Sequence, residues 1–111
     1  MESILTSIKK MLGLTDGYEY FDTDIIIHIN TALSALTQMG VGPSEGFSIA
    51  DENAMWSDFI EDRTKYLSVK TYVYAKVKLI FDPPTTGSHM EALKEAIREC
   101  EWRLNVAAES Q

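Results

Sequence analysis

The run from Val69 to Pro84, VKTYVYAKVKLIFDPP, drives an apolar helix directly into a double proline. Each proline lacks an N–H and pushes the residue before it out of the helical region, so a helix entering this run must stop at Asp82. Upstream, Tyr66, Val69, Val73, Val77 and Ile80 fall in one sector roughly 80° wide at about 100° per residue. This spacing predicts a helix over Arg63–Phe81. Tyr72, Tyr74 and Leu79 lie outside the sector, so much of the circumference is apolar and the helix is expected at the centre of the fold. Its β-branched and aromatic residues are weak helix formers, so packing must hold it together.

The rest of the chain supplies helices to pack around it. Ile4, Leu5, Ile8, Met11 and Leu12 recur at helical spacing, which predicts a helix over Glu2–Leu12 ended by Gly13. A second begins at Asp22, taken as the N-cap, with Asp24 favouring the positive end of the helix dipole and Phe21 stapling onto Ile26. Ile25, Ile29, Ala32, Leu33 and Leu36 form its buried stripe, which runs out at Met39 and Gly40. Gly40, Gly42, Pro43 and Gly46 then break any helix, and only Phe47-Ser48-Ile49 alternates like a brief strand. The segment from Gly40 to Ala50 is therefore expected to be a mobile loop. Trp56, Phe59 and Ile60 predict a short helix over Asp51–Glu61. A last helix opens on the capping box Ser88-His89-Met90-Glu91 and buries Met90, Leu93, Ile97, Cys100 and Leu104 along a narrow seam. The fold class expected is all-α: a small bundle of four or five helices in a single domain over residues 1–111, with one long irregular loop that has room for a short β element.

Composition excludes several functions. A chain of 111 residues buries about 65% of its unfolded surface, enough for a core without staples. The single Cys100 cannot close an internal disulfide, no leader-like N-terminus is present, and no apolar run suits a membrane span. A soluble protein made in a reducing cytoplasm is expected. Net charge is −7, but residues 1–62 carry −9 and residues 63–111 carry +2. That balance argues against free nucleic-acid binding as the main activity. His28 and His89 have no cysteine or second histidine at ligand spacing, so neither marks a zinc site. Asp51, Glu52, Asp58, Glu61 and Asp62 lack the EF-hand order of oxygen ligands, and a solvated or subunit-contacting face suits them better than a Ca²⁺ site. No P-loop, nucleophile elbow or carboxylate pair with a positioned histidine occurs, so neither enzyme activity nor a cofactor is expected.

Trp102 stands apart. It sits nearly opposite the apolar seam of the last helix, beside Val106 and among charges. A large aromatic there is either covered by Tyr18, Tyr20 or the first helix, or waits for a partner.

Several segments occur in a telling order: DFI at Asp58–Ile60 after Trp56, then VKTYVYAKVKLIFDPP, then EWRLN at Glu101–Asn105, with GVGPSEGF at Gly40–Phe47 as weaker support. In this the chain resembles the small helical head-tail connector proteins of long-tailed double-stranded DNA bacteriophages. The resemblance implies a structural virion protein that forms a homo-oligomeric ring, dodecameric in the family. Such a ring sits below the portal protein, contacts neck or tail proteins and lets DNA pass without sequence-specific binding. It implies a place in the virion, after assembly in the host bacterial cytoplasm, and no membrane partner.

A ring needs two different patches on each subunit, and the acidic front half and basic rear half supply them. The candidate subunit or partner contacts are Phe47, Asp58, Glu61, Arg98, Trp102 and Arg103. A cytoplasmic helical adaptor that binds one protein partner through the Trp102 face is the main rival. A nucleic-acid module using Arg63, Lys65, Lys70, Lys76 and Lys78 is a more distant one.

Overall fold

The computed structural model describes residues 2–15 and 17–109. Among these residues five helices follow one another: α1 (Ile4–Met11), α2 (Asp22–Gln38), α3 (Trp56–Phe59), α4 (Arg63–Phe81) and α5 (Gly87–Glu109). No sheet forms among them, and the all-α expectation holds. Phe47–Ile49 pairs with no strand. Instead the Asn30 side chain takes the place of a strand partner: its Oδ1 accepts the Ile49 N–H at 2.7 Å and its Nδ2 donates to the Ile49 carbonyl at 3.0 Å.

α4 is the hub. Val69, Val73 and Val77 have no exposed surface and join α1 and α2 in one apolar cluster. Each such burial contributes about 1.5–3 kcal/mol. On the other side of α4, Ala75 is buried and small enough for α5 to approach closely, and the Tyr72 hydroxyl donates to Glu101 of α5 at 3.1 Å. Ser68 and Thr71 share a cleft with Ala96 and Cys100, and Lys78 shares another with Leu93. At helical spacing these α5-facing residues lie opposite Val69, Val73 and Val77. α2 and α5 therefore flank α4 on opposite sides, giving a slab with principal extents of 39 × 35 × 19 Å. Ile80 departs from the expected core sector and is 56% exposed, although its neighbours Leu79 and Phe81 pack on the core.

The element ends show where local chemistry overrides periodicity. Ser3 caps α1, its Oγ accepting the Thr6 N–H at 3.2 Å, so the helix starts later than the apolar spacing suggests. Glu2 is occupied elsewhere: its carbonyl accepts the Trp56 N–H at 2.9 Å, while Ile4 N–H donates to the Ala54 carbonyl at 3.0 Å. The resulting bridge between Ser3 and Met55 holds residues just before α3 in an extended form. For that reason α3 occupies only Trp56–Phe59 rather than Asp51–Glu61.

Asp22 is the first residue of α2 rather than its cap. The first helical bond runs from Ile25 N–H to the Phe21 carbonyl, and the Asp22 carboxylate pairs with Lys9 at 2.8 Å. Phe21 packs edge-on against Phe81 with ring centres 5.1 Å apart, tying the start of α2 to the end of α4. α5 starts one residue before the expected capping box. Thr86 does the capping, accepting the His89 N–H on Oγ1 at 3.3 Å and the Met90 N–H on its carbonyl. Beneath α3, the Trp56 indole N–H donates to Ser7 Oγ at 2.7 Å, and Ser7 donates to the Ile4 carbonyl, so the buried indole is fully satisfied.

Candidate assembly interface

α5 has two unlike faces. Ile97 and Leu104 are buried, and Leu93 and Cys100 pack on the same cluster, so the seam at alternating spacings of four and three lies on α4. Burial first, then Glu99, raises the pKa of the Cys100 thiol, which stays protonated at neutral pH. Trp102 points the other way and is 67% exposed. The expected cover from Tyr18, Tyr20 or α1 is absent, because those tyrosines pack on each other and on Phe21 instead.

Two ion pairs flank the indole within α5. Arg98 meets Glu95 at 2.6 Å and Arg103 meets Glu99 at 2.7 Å. The hydrogen bonds that Arg98 donates to Glu95 raise its pKa further. Each arginine's charge is thus answered on its own helix, and the surroundings of Trp102 are close to neutral. Arg98, Trp102 and Arg103 form one patch.

The other three candidate residues belong to a second region. Phe47 lies edge-on against Phe59 of α3, with ring centres 5.5 Å apart. Asp58 is exposed and accepts the Met55 N–H on Oδ2 at 2.8 Å, which fixes the start of α3. Glu61 is exposed in the link between α3 and α4. The acids near it are also used locally: Asp51 accepts the Asn53 N–H at 2.8 Å, and Asp62 accepts both the N–H and the hydroxyl of Thr64. Those Thr64 bonds lower the pKa of Asp62. No group of three or more metal-ligating side chains gathers among the described residues.

Periodicity did not reveal a third feature, the outer flank of α2. Ile27 is 55% exposed there, and with Asn30, Thr31, Ser34, Ala35 and Gln38 it lines a shallow groove of about 600 Å³. A second groove shares Asn30 and Ser34 and extends to Phe47 and Glu45. A signal was present in the sequence: residues 25–44 contain no Asp, Glu, Lys or Arg. The buried stripe accounts for only five of those twenty positions, and the exposed ones among them are uncharged as well.

Three of the basic residues of α4 make contacts within the chain. Lys70 pairs with Glu2 and Lys78 with Asp82, while Lys76 sits 5.8 Å from the Tyr72 ring centre. No helix among the described residues is long and apolar enough to cross a membrane.

A family model described as "Phage connector protein" matches residues 4–111. Neither the curated proteins nor the solved structures contain a match.

Proposed function

Because this chain belongs to the phage connector protein family, we propose that it is a structural piece of the phage head–tail junction, a connector without catalytic activity. The observation that carries this reading is the family match across nearly the whole chain. On this reading the chain forms a homo-oligomeric ring, dodecameric as the resemblance implies, below the portal protein. The ring continues the DNA channel and presents a surface to a neck or tail protein. The chain assembles in the bacterial cytoplasm and ends in the virion.

The surface chemistry fits such a part. An acidic balance, −9 over residues 1–62, lets DNA slide past without sticking to phosphate-binding side chains. An exposed tryptophan flanked by internally paired arginines suits a protein contact. The candidate contacts are Trp102, Arg98 and Arg103 on one edge, and Phe47, Asp58 and Glu61 on the other region.

Electron microscopy of the purified protein at high concentration, alone and with its portal protein, tests the ring. Closed rings with a central opening are expected. A chain that stays monomeric in both conditions and binds one partner in a one-to-one complex would instead be an adaptor.

A further inference from the structure

Trp102 and the α2 groove lie on opposite edges of the slab, because α5 and α2 pack on opposite sides of α4. One molecule cannot bring its own indole into its own groove. A second copy can, and a contact between two different patches repeats from copy to copy until it closes.

The two patches also match in polarity. The groove along Ile27, Thr31, Ser34 and Gln38 is uncharged, and the charges beside Trp102 are paired within α5. Burying Trp102 against this flank leaves Arg98 and Arg103 paired with Glu95 and Glu99, and the Thr31, Ser34 and Gln38 side chains offer acceptors to the indole N–H. The groove runs on toward Phe47, so this seat continues into the region already proposed as a contact.

We propose that Trp102 of one copy seats in the α2 groove of the next, and that this head-to-tail contact builds the assembly. The inference rests on the homo-oligomeric reading above and names the two surfaces that reading requires. A partner protein occupying the groove is the alternative the experiment must exclude.

The test places one cysteine on each patch in a Cys100→Ser background: Ser34→Cys in the groove and Asn105→Cys beside Trp102. A short bis-maleimide cross-linker is added at assembling concentration. The double variant should give a ladder of dimers, trimers and higher species, while each single variant gives none. A dimer from either single variant means like patches meet, and overturns the proposal. Assembly without a ladder leaves the oligomer standing and removes this contact. A monomer without a ladder at every concentration removes both. Cross-linking only to added portal protein assigns the groove to that partner and also overturns the proposal. Independently, Trp102→Ala should weaken self-association about 30-fold, as expected for a central interface tryptophan. The melting temperature of the monomer, at a concentration below assembly, should not change, since the side chain is 67% exposed. Unchanged association would count against the seat.

Discussion

Gly42 has φ +83°, and a Cβ placed there would lie 2.5 Å from Phe59 Cε1. Left-handed backbone alone costs an L residue about 1–2 kcal/mol. Here the Phe59 ring, itself pressed against Phe47, must also move. Gly46 provides the control, with φ +93° and open space around its Cα. Gly42→Ala should therefore lose clearly more stability in urea than Gly46→Ala, and equal losses would mean that Phe59 yields freely.

Charge at the N-terminus makes a smaller contribution with a definite pH sign. The hydrogen bond from Lys70, opposed by partial burial and aided by Tyr66, lowers the Glu2 pKa below its ordinary 4.5. A carboxylate lowered in the folded state adds stability above its unfolded pKa, and that stability is lost as pH falls through the folded value. Burial works against the charge on Lys70, but Glu2 outweighs it and the lysine pKa is raised, so it stays charged across this window. The pair is half exposed at Glu2, so only a few tenths of a kcal/mol are expected. Urea melts should show parent exceeding Glu2→Gln at pH 7 by a margin that shrinks as the pH falls below 4.5. A gap that does not shrink would assign the effect to packing.

Among the elements, those set by strong periodicity were legible in the sequence and those set by long-range backbone pairing were not. The end of α4 could be read because Pro83-Pro84 forbid its continuation, while the structure shows that Asp62 caps its start, Oδ1 accepting the Thr64 N–H. The α2 stripe was legible for the same reason, since all five of its residues are fully buried. α3 was overestimated because nothing local reveals that Met55 will pair with Ser3. The brief alternation at Phe47–Ile49 looked like a strand because a side chain, Asn30, supplies both bonds a neighbouring strand would make. At the candidate interface Trp102 stood out by its place on the helical wheel. The α2 groove did not, because threonine, serine and glutamine on an outer face look like ordinary solvated residues.

Asn30 links α2 to the loop end across 19 positions, and removing both of its bonds should cost about 1–3 kcal/mol. Asn30→Ala should lower the melting temperature and speed amide exchange at Ile49 before it affects the centre of α4. Uniform exchange across the chain would show instead that the loop and the helices open together. Between Val41, whose N–H donates to the Leu36 carbonyl at 2.9 Å, and Ile49, the loop is proposed to order further on assembly, which slower exchange in the oligomer would show.

For the whole molecule, asymmetry matters more than net charge. The sequence suggests an acidic half attracting a basic half, but Arg98 and Arg103 spend their charge on Glu95 and Glu99. Weight therefore shifts to burial of the exposed indole, with charge left to orient the encounter. An exposed indole on one edge of the slab and an uncharged groove on the other fit the proposed repeating contact better than a single binary complex.

Whether the assembled part joins head to tail is tested most directly in the phage itself. With the gene for this chain inactivated, electron microscopy of lysates should show heads and tails accumulating separately, and supplying the parent chain should restore joined particles. Tailed, infectious particles formed in the absence of the chain would contradict the connector account.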